Sequence, residues 1–135
     1  MEGITFLSRS PRKGDIVVFK SDGIQSLIQG ATYVSRIAGE HGDHLRIAEE
    51  KLYVNEKHLP LKNKSGDIRY VNIRDSRYLA STGEMLTIPE GQYFVLGDNS
   101  TNSLDGRVWG FLPAGNIKGR IAFCYWPPQH VGSVR

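Results

Sequence analysis

A single cysteine, Cys124, occurs among the 135 residues, so the chain cannot close an internal disulfide or build a cysteine-rich metal site. The sequence also has no charged-then-apolar leader and no apolar run long enough to span a bilayer. As written, it predicts neither export nor a membrane anchor of its own. Cys124 lies in the apolar run 121–126, which favours packing as a small core residue over a role as a catalytic thiol.

Clustered charge is missing as well. The 17 basic and 14 acidic residues give a net charge of +3, and no arginine-rich block or aromatic–basic motif stands out among them. This pattern argues against a nucleic-acid partner and indicates a solvated surface of mixed charge. Hydrophobic residues make up 39% of the chain, which is ordinary for a globular protein. We predict one domain over residues 1–135, a size that can bury about two-thirds of its unfolded surface.

The apolar residues follow the period of β-strands more often than that of helices. Predicted strands cover residues 15–20, 33–38, 44–48, 51–54, 70–73, 85–88, 92–96 and 119–125. Helical pattern is scarce: residues 23–30 predict one or two amphipathic turns, and residues 74–81 predict either another turn or an irregular loop. The fold class is therefore mainly β, with one or two short helical turns.

The densest group of turn formers and polar side chains follows the predicted strand 92–96. It comprises Gly97, Asp98, Asn99, Asn102, Ser103, Asp105, Arg107, Gly110 and Pro113. So many residues of restricted geometry after a buried strand indicate a backbone that holds side chains in place for chemistry.

This group resembles the C-terminal signature of type I signal peptidases, and two further blocks agree with that family in order. Residues 12–20 resemble its Gly-Asp-Ile-Val-Val-Phe strand, and residues 33–43 resemble the block that carries its catalytic lysine. Three ordered blocks are a specific signal, unlike a lone glycine motif. The resemblance implies a β-domain of antiparallel sheets. It also implies a serine endopeptidase that removes signal peptides at the extracytoplasmic face of a bacterial inner membrane.

In the mechanism that the resemblance implies, a serine hydroxyl attacks the scissile carbonyl and a neutral lysine amine takes its proton. Such a lysine must be buried, so that its pKa falls from about 10.4 toward neutrality. The substrate would be an extended peptide lying beside a strand, with small side chains in shallow pockets. By resemblance Val18, Tyr33 and Val34 line those pockets, and ordinary β-core packing is the competing interpretation.

Aromatic residues late in the chain are consistent with a membrane surface as a binding partner. They are Trp109, Phe111 and Trp126, followed by Pro127 and Pro128. In the family this region faces the membrane, and indole rings favour that interface. Core packing explains the same residues equally well.

The sequence departs from the family at its catalytic positions. The lysine position falls on Ser35, whose hydroxyl cannot serve as a general base near neutral pH. The family's nucleophile stands in a Ser-Met-x-Pro segment before the strand 15–20, where this chain has residues 1–12 and no Ser-Met pair. His41 and Gly106 stand where the family usually has proline and serine, and we expect both changes to be tolerated.

The remaining polar residues of the motif have two interpretations. Ser103 and Asp105 either keep the family's support of catalysis or serve as fold-stabilising hydrogen bonds. Asp105 is expected to accept a hydrogen bond from Ser103 or to pair with Arg107 or Arg36. Both arginines are expected to be structural, because a guanidinium suits buried carboxylates and carbonyls. The segment 97–99 is expected to be a turn.

A metal site is not predicted. His41 and His44 flank Asp43 with a spacing that resembles a ligand pair, but the additional ligands that a site needs are not evident. We predict no cofactor.

Three functions fit these observations. The chain is the catalytic domain of a signal peptidase whose first part lies upstream, or a non-catalytic relative that binds peptides or assists assembly at a membrane, or an unrelated β-module. The three ordered blocks disfavour the last. Because Ser35 replaces the lysine, we predict an inactive member of the family that binds a signal peptide or another extended segment.

Overall fold

The computed structural model describes residues 4–5, 10–101 and 104–121. In chain order these form β1 (Ile4–Thr5), β2 (Ile16–Lys20), β3 (Thr32–Glu40), β4 (His44–Ala48), β5 (Lys51–Val54), β6 (Lys57–His58), β7 (Lys62–Asn63), β8 (Gly66–Asp67), β9 (Leu86–Thr87), β10 (Gln92–Leu96), α1 (Gly106–Trp109), β11 (Leu112–Pro113), a 3₁₀ turn (Ala114–Asn116) and β12 (Ile117–Ile121). The predicted mainly-β class with short helical turns is confirmed.

The strands form antiparallel sheets. A six-stranded sheet has the order β1-β12-β2-β3-β10-β11, a four-stranded sheet has the order β6-β5-β4-β9, and β7 pairs with β8. The turn between β3 and β4 carries the chain from the first sheet to the second. Gly39 lies just before it, where a Cβ atom would come within 2.5 Å of Ile88 Cδ1, so glycine lets the side chains of Ile88 and Leu45 pack directly over β3.

Alternation along the central strands places apolar side chains on both faces of the six-stranded sheet. On one face Val17, Phe19 and Ile37 pack with Trp109. On the other face Phe94 packs with residues of the four-stranded sheet. A smaller cluster of Ile16, Val18 and Val34 lies on this second face, over β2 and the first half of β3. No helix in the described part of the chain is long and apolar enough to cross a membrane.

The helical prediction for residues 23–30 is wrong. Gly23, Ser26 and Gly30 have positive φ angles, which end a helix. The backbone amide of Gly23 donates to Gln29 Oε1 and that of Gly30 donates to Asp22 Oδ1, so side chains rather than a helical ladder satisfy this loop.

The predicted strand 70–73 is also wrong. Its amides donate outside any sheet: that of Tyr70 to the carbonyl of Glu50, and that of Val71 to Ser100 Oγ. Residues 74–81 are an irregular loop, the second of the two alternatives. The last strand is described as Ile117–Ile121, and the rest of its predicted range lies outside the described residues.

The helical turn α1 was not predicted. Asp105 caps it by accepting a hydrogen bond from the amide of Arg107, so the pair Asp105-Gly106 starts a helix. Gly106 fits beneath Phe94, whose Cε1 would lie 2.8 Å from an added Cβ atom.

Candidate functional site

The loop after β10 is fixed by an ion pair that is completely buried. Asp105 and Arg107 are both 0% exposed, and the carboxylate accepts from Arg107 Nε at 2.9 Å and from Nη2 at 2.7 Å. The amide of Gly97 also donates to Asp105 Oδ2 at 2.9 Å. This bidentate geometry joins the two ends of the loop, and the predicted pairing of Asp105 with Arg107 is observed.

The same guanidinium ties this loop to the segment that follows β8. Arg107 Nη1 donates to the carbonyl of Val71 at 2.8 Å and to Ser100 Oγ at 3.0 Å. Ser100 Oγ also accepts from the amide of Val71 at 2.9 Å. Sequence reasoning missed Ser100, because a lone serine in a polar loop carries no signal of such contacts.

A second ion pair joins the loop to β3. Arg36 donates from Nε and Nη2 to the two oxygens of Asp98, at 2.9 and 2.8 Å, and from Nη1 to the carbonyl of Gly14 at 3.0 Å. Arg36 thus pairs with Asp98 and not with Asp105. The turn 97–99 is held by this pair against the middle of the six-stranded sheet.

Ser35 directly precedes Arg36 on β3 and has no polar partner among the described residues. Its side chain is 3% exposed, and its Oγ atom makes no hydrogen bond. Its cross-strand neighbour is Val17, and strand alternation puts Tyr33 and Ile37 on the same face. A buried hydroxyl without a partner is uncommon in native proteins, because its desolvation is not offset.

The first half of β3 has an open edge within the described part of the structure. Strand β10 pairs with β3 only from Arg36 onward, whereas β2 pairs with all of Thr32–Arg36. The backbone groups of Ile37 bond to Gly14 and Asp15, so by alternation those of Val34 point away from β2. An extended peptide can therefore add to the sheet beside Thr32–Ser35.

The three residues predicted to line pockets lie close to this edge but on two faces. Val18 and Val34 are directly opposite each other across β2 and β3, and they pack with Ile16. Tyr33 lies on the opposite face, where its ring stacks on Phe19 with 6.0 Å between ring centroids. Val18 and Val34 thus form one apolar surface, which Tyr33 does not join.

Every lysine of the chain falls within the described residues, and none of the seven is buried. Within the described part of the structure two lysines form ion pairs, and Lys13 is the less exposed of them, with 30% of its side chain exposed. Its Nζ atom lies 3.1 Å from a carboxylate oxygen of Glu40 and 3.0 Å from one of Asp43. Burial alone would lower the pKa of Lys13, but the two carboxylates outweigh it and raise the pKa above its ordinary value. No lysine of the chain therefore has the buried position that the serine–lysine mechanism requires.

Tyr70 is a second buried residue that sequence reasoning missed. Its hydroxyl makes no hydrogen bond, and the side chain is 1% exposed. Burial, followed by the charge of Asp98, raises the pKa of its phenol above the ordinary value.

Several residues that the sequence analysis singled out lie beyond the described part of the chain. Ser103, Cys124, Trp126, Pro127 and Pro128 lie outside the described residues. Trp109 is 6% exposed and packs against Phe19, which favours the core interpretation for this residue.

Comparison with known proteins identifies the relatives of this chain. The family model described as "Signal peptidase, peptidase S26" matches residues 2–126. The chain is 33% identical over 137 residues to "Probable signal peptidase I-2" of Synechocystis sp., covering 98% of this chain and 56% of that protein. It is 32% identical over 122 residues to "Signal peptidase IB" of Staphylococcus aureus, covering 85% and 61%. It is 34% identical over 140 residues to "Probable thylakoidal processing peptidase 2, chloroplastic" of Arabidopsis thaliana, covering 98% and 34%.

The fold agrees with these matches. A crystal structure of a signal peptidase I from Enterococcus faecalis superposes with a TM-score of 0.63 at 26% identity, covering 84% of this chain and 98% of that one. Against the curated relatives above, the chain spans between 34% and 61% of their length.

Proposed function

This chain belongs to the signal peptidase family, peptidase S26, and we propose that residues 1–135 form a peptide-binding member of its type I branch that does not cleave what it binds. The observation that supports the proposal is the presence and burial of Ser35 on β3. This residue stands where the resemblance places the catalytic lysine, and its hydroxyl is buried without a partner.

Cleavage by a serine–lysine mechanism needs a neutral amine at the site. An amine becomes neutral near pH 7 only when burial depresses its pKa by several units. All seven lysines of this chain reach solvent, and the carboxylates beside Lys13 stabilise its charged form. The serine hydroxyl at position 35 cannot replace the amine, because it accepts a proton only at very low pH.

Peptide binding, unlike cleavage, has a structural basis in the open edge of β3. The open edge beside Thr32–Ser35 offers the backbone N–H and C=O of Val34 to an added strand. The Arg36–Asp98 pair holds the turn 97–99 against Arg36, the residue that follows this edge on β3. By family resemblance the ligand is a signal peptide or a similar extended segment, met at the extracytoplasmic face of a bacterial inner membrane.

The absence of cleavage is tested with purified residues 1–135 and a signal-peptide substrate. We expect no turnover above that of S35A and S103A controls, and no change in intact mass after treatment with a serine-directed acylating inhibitor. A stoichiometric adduct, or turnover that the controls lose, would overturn the proposal and favour an active peptidase domain.

Binding is tested by fluorescence anisotropy with a labelled peptide of alternating alanine and valine. V34P removes the outward N–H of Val34, whereas V34A keeps it and loses only side-chain contacts. We expect V34P to abolish binding and V34A to weaken it. Equal binding by the wild type and V34P would show that this edge is not the site.

A further inference from the structure

The buried hydroxyl of Ser35 lowers the stability of the folded chain unless another group forms a hydrogen bond with it. It lies on the apolar face that also carries Val17 and Ile37, at 3% exposure and without a hydrogen bond. Alanine would fill the same place without an unsatisfied polar group. The structure therefore gives Ser35 no stabilising role within the described residues.

Ser35 lies next to the open edge, where an added strand would come close to it. Adjacent strands lie about 4.8 Å apart, and their side chains on one face stand side by side. A peptide strand added beside Val34 therefore places one of its own side chains next to Ser35, on the same face of the sheet. Because the backbone groups of Ser35 point toward β2, its side chain is its only contact with that strand.

We propose that Ser35 is a specificity residue of the peptide cleft, and that it selects an extended peptide carrying serine or threonine at the position beside it. The inference rests on the proposed peptide-binding function and names its ligand more closely. A short hydroxyl side chain can both donate to and accept from Ser35 Oγ across a strand pair.

Charged side chains fit this position poorly. The face around Ser35 is apolar, and both carboxylates of the motif, Asp98 and Asp105, are already paired with arginines. A lysine or a carboxylate of the peptide would lose its hydration there without a counter-charge. An alanine or valine would leave the Ser35 hydroxyl unsatisfied, as it is in the free chain.

The test is a double-mutant cycle on peptide binding. The probes are labelled nine-residue peptides of alanine and valine, in which threonine replaces valine at each central position in turn. Threonine and valine have nearly the same shape, so their comparison isolates the hydroxyl. For the wild type we expect at least one threonine peptide to bind about three- to tenfold more tightly than its valine counterpart.

The variants assign that preference to a residue. S35A is expected to bind the matched threonine and valine peptides equally. S21A removes another buried hydroxyl, one that bonds to Ile28 and Ala31 in the connection between β2 and β3 and does not lie beside Ser35, and it is expected to keep the preference. If the wild type binds all peptides but prefers none, or if S35A keeps the preference, the specificity role of Ser35 is wrong while the binding proposal stands. If no peptide binds the wild type, the proposed function itself fails.

Discussion

At the scale of single residues, Arg107 is the largest side chain that the described structure buries completely. A guanidinium taken out of water would cost several kcal/mol if it were unpaired. Here Asp105, Ser100 and the carbonyl of Val71 receive its hydrogen bonds. The pair therefore fixes one conformation of the loop, because any other conformation leaves a buried charge without its partner.

Replacing this arginine tests that role. We expect R107M to lower the free energy of unfolding by about 3–5 kcal/mol, since it removes the guanidinium that neutralises the buried carboxylate of Asp105. The matched control is R69M, which removes an arginine that is 75% exposed in its ion pair with Glu50. The control is expected to change stability by less than about 1 kcal/mol. Urea titration followed by circular dichroism measures both, and similar small losses in the two variants would contradict the prediction.

We expect opposite effects on stability when the buried serines Ser35 and Ser21 are replaced by alanine. We expect S35A to raise the free energy of unfolding by about 1 kcal/mol, because it removes an unsatisfied hydroxyl. S21A is expected to lower it by a similar amount, since Ser21 Oγ donates to backbone carbonyls and accepts from the amide of Ala31. Thermal and urea unfolding compare the two. A loss of stability in S35A would mean that its hydroxyl is already satisfied in the free protein.

Residue-level pairing shows where sequence reasoning ends. The pairing of Asp105 with Arg107 was among the predicted alternatives, because the two residues lie two positions apart. The pairing of Arg36 with Asp98 was not, because 62 positions separate them and only the order of strands β3 and β10 brings them together. The burial of Ser35 without a partner depends on the same tertiary arrangement.

At the scale of elements, short strands with strong alternation could be predicted and irregular segments could not. The hairpin of β4 and β5 follows from its pattern, and Glu49 and Glu50 form its turn with positive φ angles. The segment 70–73 has the composition of a strand, yet the loop 97–107 and the turn of this hairpin take its hydrogen bonds. Tertiary contacts therefore determine the conformation of residues 70–73, and such contacts cannot be predicted from sequence periodicity.

The turn between β3 and β4 depends on an ionised carboxylate. Burial opposes the ionisation of Asp43, but hydrogen bonds from the amide of Glu40, from Asn55 and from Lys13 outweigh it, so the pKa of Asp43 lies below its ordinary value. The folded state therefore favours the charged carboxylate more than the unfolded chain does. Its contribution to stability is present above the unfolded pKa and is lost as the pH falls through the lower, folded pKa.

This linkage predicts how D43N responds to acid. The variant is expected to be less stable than the wild type near pH 7, and the difference is expected to shrink toward about pH 2. D67N serves as the control, since the side chain of Asp67 is 68% exposed in its pair with Lys62. Urea unfolding at several pH values gives the comparison. A difference between D43N and the wild type that stays constant with pH would show that the charge of Asp43 does not stabilise the turn.

At the scale of the whole molecule, topology creates the features on which the proposed function rests. The turn 97–99 ends the pairing of β10 with β3 at Leu96, and this leaves the first half of β3 open on one side within the described part of the structure. The Arg36–Asp98 ion pair holds that turn against β3 where the open stretch ends. The family resemblance predicted a cleft beside a strand, but the open stretch follows only from the register.

The distribution of lysines over the molecule supplies the last prediction. If no lysine is shielded from water, an amine-reactive acetylating reagent should modify all seven in the native protein near neutral pH. Lys13 should react most slowly, because Glu40 and Asp43 hold its ammonium group and raise its pKa. Mass spectrometry of proteolytic peptides gives the rate at each site. A lysine that stays protected until the protein unfolds, or one that reacts far faster than the rest near pH 7, would reveal a desolvated amine. A serine–lysine mechanism would then regain the base that it needs, and the proposal of a non-cleaving domain would lose its foundation.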